Sequence, residues 1–396
     1  MRVGYLTYGL DRAPAGIGRY AVELLRGLAA LPDAPELILL TTEQKDRHGL
    51  WGDFERYALH GCRLLPGLMS LGNLALSIAA QRLKLDIIHD PNGIAPFWGP
   101  CCGARRVVSI HDAFAYVCPE AHNRLDNWRF RAFLPQMVRR ADLTLTDSRN
   151  SASDLKRYLA VPETKLRTIP LGISEHFRPF PDSSARREVL ARYQVTSPYL
   201  LYVGGINARK NIGRVFEAYA RIRERYPQLH LVIAGQRQWQ TAEIDAAYRR
   251  LGLERHVCFT GYIDDADLPA LYSAAEAFVF PSLHEGFGFP LLEAMACGVP
   301  VITSNVSSLP EVVGDAALTI NPYDVASLTR AIERVLNDAV LWAELRRRGL
   351  ERVQQFTWKR TAYQTLSAYM QVLDRDAVDC AGPASSVLGK ERNHEY

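Results

Sequence analysis

Residues 277–303 read AFVFPSLHEGFGFPLLEAMACGVPVIT: a short apolar run, a glycine-rich turn, a helical pattern and a second apolar run. Apolar runs that alternate with helices are typical of parallel strands covered on both faces. Gly286 and Gly288 lie in the turn, and Pro290 follows them. Proline suits the first turn of a helix because its missing N–H would be unpaired there. The segment therefore predicts a strand, a loop, a helix and a second strand.

The same alternation continues along the chain in two groups of candidate strands. The first group lies at residues 3–8, 37–41, 86–89, 107–110, 143–146 and 166–169. The second group lies at residues 199–203, 229–234, 257–260, 277–280, 299–303 and 317–320. Six strands, an interval and six more strands predict an α/β protein with two doubly wound units rather than one large sheet.

The interval at residues 172–197 is rich in Pro, Asp and Ser, which is typical of a linker. We therefore predict an N-terminal domain at residues 1–178 and a C-terminal domain at residues 190–357. A last helical pattern follows at residues 358–375. Residues 377–396 mix Gly, Pro, Ser and charge without periodicity, which predicts a disordered tail.

Composition excludes several classes of protein. The 396 residues include 47 basic and 43 acidic side chains, a net charge of +4, too weak a bias for a nucleic-acid-binding protein. The seven cysteines form no C-x-x-C or zinc spacing and indicate reduced thiols in a cytosolic protein. The apolar segments are too interrupted for a spanning helix. We expect a cytoplasmic protein, at most peripheral on the inner face of the membrane.

In the N-terminal domain, two loops that follow strands carry candidate site residues. The first is AGIGRY, where Gly16 lets the backbone approach a phosphate closely; a plain glycine turn between strand and helix is the alternative. The second ends in His111 and Asp112. A histidine there can bind a sugar hydroxyl or stabilise charge, with the aspartate orienting it. The alternative is a helix-capping aspartate beside an incidental histidine.

In the C-terminal domain, the first strand is followed by VGGINARKN, which contains Gly205, Arg209 and Lys210. Glycines followed by two cations at a helix entrance suit a diphosphate: arginine offers a fork to two oxygens, and lysine is a flexible point charge. Solvated surface charge is the alternative for either cation alone.

The turn of the opening segment carries the strongest signal. Its glycines leave backbone amides open toward an anion at the positive end of the following helix. Glu285 lies just before that helix and Glu293 about one turn inside it. A phosphate would repel both acids, so we expect them to face sugar hydroxyls. Solvent-facing acids on an amphipathic helix are the alternative, and the apolar neighbours of Glu293 disfavour it.

Glu285 and Glu293, separated by seven residues, resemble the E-x7-E signature of the retaining glycosyltransferase family 4. Further motifs follow in the order of that family: AGIGRY, SIHDAF, IPLGI, VGGINARKNI, FTGYI and TSNVSSLPEVVGDAAL. The resemblance covers residues 1–375. It implies a GT-B fold, in which two Rossmann-like domains face each other across a cleft and the last helix, at residues 358–375, crosses back to the first domain.

The resemblance also implies roles for individual residues. Arg209 and Lys210 would neutralise the diphosphate of a nucleotide-sugar donor, and Glu285 would orient the transferred sugar. Glu293 would hold the ribose hydroxyls, and His111 would face the sugar at the reaction centre. The other implied contacts to the donor are Gly16, Gly205, Ser282, Gly286, Phe287 and Gly288. Asp112 is the candidate on the acceptor side.

We expect cations and a helix dipole to stabilise the charge that develops on the leaving phosphate oxygen. The resemblance implies retention of configuration. No carboxylate is placed as an obvious nucleophile, so front-face attack is the expected route, and we expect no metal or other cofactor. The run at residues 264–267 offers a metal-binding D-x-D alternative, but it precedes an apolar helix, and we expect its acids to cap that helix.

The wording around His111-Asp112 and GGINARKN resembles bacterial mannosyltransferases of surface-polysaccharide assembly, which implies GDP-mannose as donor and a saccharide or lipid-linked saccharide as acceptor. A UDP-sugar transferase, a GT-B epimerase or phosphorylase, and a non-catalytic sugar-nucleotide-binding regulator stay open. A nicotinamide-dependent oxidoreductase is disfavoured, because the chain lacks the spaced glycine fingerprint.

A basic, aromatic segment at residues 122–140 holds five arginines, Trp128, Phe130 and Phe133. Such a segment is suited to the anionic head groups of a membrane near a lipid-linked acceptor. A solvated helix face is the alternative.

Overall fold

The computed structural model describes residues 1–8, 16–42, 46, 49–60, 62, 72–95, 97–99, 103–119, 124–238 and 241–380. The strands are β1 (Arg2–Leu6), β2 (Glu36–Thr41), β3 (Glu55–Ala58), β4 (Ile87–Asp90), β5 (Arg105–Ser109), β6 (Leu143–Thr146), β7 (Leu166–Thr168), β8 (Tyr199–Val203), β9 (His230–Ala234), β10 (Val257–Gly261), β11 (Ala277–Phe280), β12 (Val301–Ser304) and β13 (Ala317–Ile320). The helices are α1 (Gly16–Ala29), α2 (Gly72–Leu83), α3 (Phe114–Val117), α4 (Arg124–Arg140), α5 (Arg149–Leu159), α6 (Ser184–Arg192), α7 (Ile212–Ile222), α8 (Ala242–Arg250), α9 (Leu268–Ser273), α10 (Phe289–Ala296), α11 (Leu309–Val313), α12 (Val325–Asn337), α13 (Ala339–Val353) and α14 (Trp358–Cys380).

The strands form two parallel sheets. The first has the order β3-β2-β1-β4-β5-β6-β7, and the second has the order β10-β9-β8-β11-β12-β13. Counted within each sheet, both contain the order 3-2-1-4-5-6 of doubly wound dinucleotide-binding folds. The order reverses between β1 and β4 and again between β8 and β11. In open α/β sheets, ligands bind outside the carboxyl ends of the strands at such a reversal. The prediction of two doubly wound units is confirmed.

Burial explains why the central strands were readable from the sequence. All four residues of β11 are buried, and the rings of Phe278 and Phe280 stack with their centroids 5.8 Å apart. A strand covered on both faces has no solvent-facing positions, so its sequence is continuously apolar. The twelve predicted strands lie within two residues of the observed bounds.

The first sheet has a seventh strand, β3, that the sequence analysis missed. Its sequence is ERYA, and three of its four residues are exposed. β3 lies at the edge of the sheet. Edge strands commonly carry charge, which protects an unpaired edge from other chains. The apolar run that revealed the other strands is therefore absent from β3.

The prediction of a linker at residues 172–197 is wrong in part, because α6 lies within that interval. Ser183 caps α6 by accepting a hydrogen bond from the amide of Arg186 at 3.3 Å. Val189 and Leu190 are the buried residues of α6, which packs against α9. Two buried apolar residues in nine make too short a pattern to indicate a helix.

The last helix, α14, packs against α1 of the first sheet, as the resemblance implied. A Cβ on Gly27 of α1 would lie 3.2 Å from the carbonyl oxygen of Trp358, so the two helices are in close contact. α14 extends to Cys380, which makes the first four residues of the predicted tail helical. Residues 381–396 lie outside the described residues. The sheets fall within the predicted domains at 1–178 and 190–357, whose bounds stay predictions.

Across the described parts of the chain, no helix has both the length and the apolar character that crossing a membrane requires.

Gly172 provides a test of how α14 is anchored. A Cβ at this position would lie 2.2 Å from the backbone nitrogen of Trp358. Gly172→Ala must therefore displace the start of α14, and we expect it to lower the free energy of unfolding by about 1–3 kcal/mol, as overpacking does. Gly213→Ala in α7 is the matched control, because nothing lies within 4 Å of its Cβ. Urea unfolding of both variants checks this, and equal stability would contradict the contact.

Candidate functional site

The loops that follow β8 and β11 meet at the reversal of the second sheet. The loop after β8 ends in a single 3₁₀ turn, Ala208–Lys210, where Asn207 caps the amide of Lys210 at 3.3 Å. The amide of Leu283, in the loop after β11, donates to the carbonyl oxygen of Arg209 at 2.9 Å. Because β8 and β11 are neighbours in the sheet, residues 75 positions apart in the sequence come together here.

Glu285 binds both predicted cations. One carboxylate oxygen lies 2.7 Å from Nη1 of Arg209, and the other lies 2.5 Å from Nζ of Lys210. The hydroxyl of Ser282 donates to the same carboxylate. Burial alone would raise the pKa of Glu285, but Arg209 and Lys210 lower that pKa to about 2. Two cations and one carboxylate leave the cluster with a net positive charge.

Burial lowers the pKa of Lys210 to about 8. The charge of Arg209 lowers this pKa as well, while Glu285 raises it. At neutral pH the amine therefore keeps its proton, and an additional anion at the site would favour that form further.

The glycine loop completes this side of the site. Gly288, with φ at 108°, lies at the N-cap of α10, and Pro290 lies in the first turn as predicted. Within the described chain, nothing accepts a hydrogen bond from the backbone amides of Gly286, Phe287 and Gly288. These amides and the helix dipole add positive potential beside the cations.

Gly205, on the other loop, lies directly under the side chain of Gln238, whose Nε2 would be 2.4 Å from a Cβ there. The space at Gly205 is therefore occupied by Gln238, and the implied contact of Gly205 to a donor stays a prediction.

Glu293 is only 3% exposed and is held from two sides. The hydroxyl of Tyr272 donates to one oxygen at 2.8 Å, and Arg19 of α1 donates to the other. The same guanidinium lies 2.6 Å from the carboxylate of Asp265. An arginine of the first domain thus reaches across the cleft to two acids of the second. Arg19 was read only as part of AGIGRY, and no local pattern linked it to residues about 250 positions away.

The prediction that the acids at 264–267 cap a helix is wrong for their side chains. Asp267 lies at the N-cap of α9 but makes no side-chain capping bond. Its carboxylate instead accepts from Arg192 at 2.7 Å and from Tyr193 at 2.8 Å, while Asp265 binds Arg19. These carboxylates therefore accept hydrogen bonds from charged and phenolic side chains rather than from the backbone amides of α9. In the part of the chain that the structure describes, no cluster of three or more metal-ligating side chains is found.

The predicted residues of the first domain face the second domain. Gly16 begins α1, and a Cβ there would lie 3.8 Å from the ring of Phe289. The carbonyl oxygen of His111 would lie 2.4 Å from a Cβ on Gly286, so only glycine fits at that contact. Asp112 lies beside the same glycine and accepts from the amide of Phe114 at 3.2 Å. The N-cap of α3 is Ala113 and makes no side-chain capping bond, so the alternative that Asp112 caps this helix is wrong.

A second contact across the cleft was missed by the sequence analysis. The carboxylate of Glu311 accepts from the amides of Arg149 and Asn150, both at 3.0 Å. Those amides are in the first turn of α5, where an anion is favoured by the helix dipole. The structure brings Arg209, Lys210 and Ser282 together around Glu285, and His111 and Asp112 together beside Gly286. It joins Glu293 to Arg19, and Gly205 to Gln238, and neither of those partners was predicted.

Comparison with known proteins identifies the family. The model described as Glycosyltransferase Family 4 matches residues 14–177, and that described as Glycosyl transferases group 1 matches residues 188–355. O-antigen chain mannosyltransferase B of Escherichia coli is 35% identical over 392 residues, which cover 93% of this chain and 99% of that protein. The chain is a family 4 glycosyltransferase. A serotype-specific mannosyltransferase, WbdA of E. coli, is 33% identical over 293 residues, 72% of this chain but only 35% of WbdA.

Solved structures place this glycosyltransferase in the GT-B fold. Sucrose-phosphate synthase from Thermosynechococcus elongatus has a TM-score of 0.75 at 24% identity, covering 94% of this chain and 99% of that one. WaaG, a glycosyltransferase involved in lipopolysaccharide biosynthesis, has a TM-score of 0.68 at 18% identity, with coverage of 94% and 99%. Anabaena HepE in complex with UDP and glucose has a TM-score of 0.73 at 19% identity, with coverage of 94% and 100%.

The buried pair of Arg19 and Glu293 generates a stability prediction for this glycosyltransferase. Burial raises the pKa of Glu293, and Arg19 opposes that rise. In Arg19→Ala the folded state therefore holds a proton on Glu293 more tightly than the unfolded chain does. Stability is kept below the ordinary carboxyl pKa of 4.5 and is lost as pH rises through the raised value. We expect a loss of up to about 3–5 kcal/mol at pH 8 and a smaller loss at pH 5.

Thermal unfolding at both pH values checks this prediction. Arg225→Ala is the control, because it removes an exposed ion pair with Glu333, which is worth about 0–1 kcal/mol. A loss for Arg19→Ala that is the same at both pH values, or no larger than that of the control, would contradict the buried pair.

Proposed function

We propose that this enzyme transfers mannose from GDP-mannose, with retention of configuration, to a saccharide or lipid-linked saccharide in the synthesis of a cell-surface polysaccharide such as lipopolysaccharide. The observation that carries the proposal is the net-positive cluster of Arg209, Lys210 and Glu285 beside the open amides of the glycine loop. That arrangement supports a ligand with a diphosphate and a hydroxyl-rich group on either side of it.

The diphosphate is supported by charge and by geometry. Arg209 presents a planar fork and Lys210 a flexible point charge, and both lie within 2.7 Å of one carboxylate. A diphosphate at the start of α10 would take over the cations and the amides of Phe287 and Gly288. Charge that develops on the leaving oxygen would then meet groups already in place, which lowers the barrier of the transfer step.

The sugar and the ribose are supported by the two carboxylates. Once an anion binds the cations, Glu285 can accept hydrogen bonds from hydroxyls of the transferred sugar. Glu293, one turn inside α10, would accept from the ribose hydroxyls. Both acids are buried, at 7% and 3% exposure, so a hydroxyl that they bind is shielded from water.

The acceptor side of the proposal rests on His111 and Asp112, which face the glycine loop from the first domain. Retention is proposed from the resemblance to a retaining family. Front-face attack is proposed as its route because no carboxylate is placed as an obvious nucleophile. A metal is not part of the proposed mechanism, because Arg209, Lys210 and the helix end already carry the positive charge.

Mannose is supported by two relatives, which are named an O-antigen chain mannosyltransferase and a serotype-specific mannosyltransferase. Guanosine rests only on the resemblance of the sequence around His111-Asp112 and GGINARKN to bacterial mannosyltransferases. The solved complexes of HepE contain UDP or UDP-glucose, so a UDP-sugar donor is the alternative that an experiment has to separate. Formation of product without an acceptor would instead indicate an epimerase or a phosphorylase.

A thermal-shift panel of GDP-, UDP- and ADP-sugars tests the donor site. A ligand that binds only the native state stabilises it by about 2.7 kcal/mol at a concentration of 100 Kd. We expect GDP-mannose to raise Tm, and Glu293→Gln and Lys210→Ala to remove that rise. Lys359→Ala, on the exposed face of α14, is the control and should respond like the wild type.

The outcomes of the panel are distinct. A rise with another nucleotide-sugar that both site variants remove would keep the site and reject GDP-mannose. A rise that the site variants retain would reject the site. No rise with any donor, in a protein that unfolds cooperatively, would contradict donor binding in the absence of acceptor.

We also propose that the face around α4 rests on anionic lipids near a lipid-linked acceptor. In this segment the side chains of Trp128 and Phe130 are 63% and 37% exposed, and Arg131, Arg139 and Arg140 are exposed. The ring of Phe133 in α4 lies 6.2 Å from that of Trp98, which is itself 43% exposed. Exposed aromatic rings among arginines are suited to the boundary between head groups and acyl chains. Residues 122–123 lie outside the described residues.

Flotation with vesicles that contain phosphatidylglycerol tests this docking. A lysine or arginine near an anionic surface contributes about 1 kcal/mol. We therefore expect Trp128→Ser with Arg139→Ala and Arg140→Ala to weaken binding by well over tenfold. Val340→Ser with Arg221→Ala and Arg225→Ala makes the same charge change in the second domain and should bind like the wild type. Flotation that the α4 variant leaves unchanged would contradict the proposal.

A further inference from the structure

Both ring nitrogens of His111 contact hydrogen-bond acceptors. Nδ1 lies 2.7 Å from Oδ2 of Asp147, and Nε2 lies 3.0 Å from the carbonyl oxygen of Pro91. A carbonyl oxygen can only accept, so Nε2 carries a proton. An ionised carboxylate also only accepts, so Nδ1 carries a second proton. The contacts on both sides of the ring therefore select the doubly protonated, cationic imidazole.

The three partners come from neighbouring strands. Pro91 follows β4, His111 follows β5 and Asp147 follows β6. These strands are adjacent in the first sheet, so their carboxyl ends bring the three residues into one layer at the cleft. Asp147 is 4% exposed, and the side chain of His111 is 13% exposed. Water therefore screens the pair little, and the attraction between its charges is strong.

The imidazole of His111 also contacts the ring of Tyr20 of α1, in a T-shaped arrangement with the centroids 4.7 Å apart. The hydroxyl of Tyr20 lies 2.7 Å from Oγ of Ser109. Ser109 in turn contacts His89 at 2.9 Å, and His89 contacts the hydroxyl of Tyr369 in α14 at 2.6 Å. This buried chain holds Tyr20 in place, and with it the plane of the His111 ring.

Among the described residues, the titratable groups that face His111 are Asp147, Asp112, His89 and Tyr20. Burial raises the pKa of Asp147, and His111 opposes that rise by its charge and its hydrogen bond. Burial would lower the pKa of His111, but Asp147 raises it by charge and hydrogen bonding, and Asp112 adds to that rise. Burial lowers the pKa of His89 to about 3, so this residue is neutral at physiological pH. Tyr20 is neutral as well, because burial raises its pKa. The negative charges nearest to the ring thus favour its cationic form.

The backbone of His111 is joined to the donor side of the cleft. The hydroxyl of Ser151 lies 2.9 Å from the carbonyl oxygen of His111 and 3.2 Å from that of Gly286. Ser151 belongs to α5, which starts two residues after Asp147 and is capped by Ser148. The segment from Asp147 to Ser151 therefore positions both the ring and the carbonyl of His111 against the glycine loop.

We propose that Asp147 is a positioning residue that keeps His111 as a cation, so that His111 adds a fixed positive charge to the site of Arg209 and Lys210 and does not act as a base. With both nitrogens protonated and engaged, the ring has no lone pair to take a proton from an acceptor. The importance of this charge for transfer rests on the proposed function; the protonation state itself does not.

Kinetics of Asp147→Asn test the role in the reaction. The active form is the protonated ring, so activity is lost as pH rises through the pKa of His111. Asp147 raises that pKa, so His111 of the wild type should stay charged into the alkaline range. Without Asp147, burial leaves the pKa of His111 no higher than the ordinary histidine value of about 6.5. We therefore expect kcat of the variant to be at least tenfold below that of the wild type at pH 8, and the difference to narrow as the pH is lowered through about 6.5. Asp315→Asn, an exposed carboxylate, is the control.

NMR of the imidazole nitrogens tests the protonation state without any substrate. In ¹⁵N-histidine-labelled wild type at pH 8, the signal assigned to His111 by its loss in His111→Gln should have two protonated nitrogens. A neutral ring in that spectrum would overturn the proposal, whether or not Asp147→Asn folds. An equal loss of kcat at every pH would also overturn it. If no donor supports transfer, the proposed function fails, and the NMR result still decides the state of His111.

Discussion

The buried carboxylate of Glu285 constrains the architecture around it. It holds Arg209 and Lys210 within 2.7 Å, and removing one member of such a buried group leaves an uncompensated charge that costs several kcal/mol. The cluster therefore requires that the loops after β8 and β11 leave the sheet side by side. Only the reversal of strand order makes those two strands neighbours while their connections run in opposite directions. The strand order thus brings the three charged side chains together.

The first domain supplies the complementary wall by the same topological means. Pro91, His111 and Asp147 follow three of its strands and lie in one layer. Helix α1 adds Gly16 and Arg19 to this wall. Three polar contacts cross the cleft: Arg19 to Glu293, Glu311 to the start of α5, and Ser151 to Gly286. Aromatic contacts accompany them, with ring centroids 6.3 Å apart for Phe177 and Tyr272 and 6.1 Å apart for Phe289 and Trp358. An anion or a hydroxyl-rich ligand can replace the polar contacts but not the aromatic ones.

The sequence alone was sufficient to predict a strand or to select a candidate site residue where the chemistry of the residues coincides with a local pattern. β11 was found because it is continuously apolar, and Arg209, Lys210 and Glu285 were grouped because each follows a strand. β3 was missed because an exposed edge strand needs no apolar run. The pairing of Arg19 with Glu293 joins two domains, and that of His111 with Asp147 joins neighbouring strands, so neither has a spacing that a single sequence reveals. The acids were expected to face hydroxyls, but the structure pairs Glu285 with Arg209 and Lys210, and Glu293 with Arg19. Ionised donors make stronger hydrogen bonds to a carboxylate than neutral ones do.

Glu293 connects the proposed chemistry to the position of the two domains. Its carboxylate has two oxygens, one bound by Tyr272 of its own domain and the other by Arg19 of the opposite domain. A ribose diol bound to Glu293, as proposed for the donor, has to share or replace the contact with Arg19. The proposed binding of the donor and the contact between the two domains therefore both depend on the carboxylate of Glu293. Asp265, in the same domain as Glu293, is a second partner for Arg19. The guanidinium therefore keeps an ion pair while Glu293 binds a ligand.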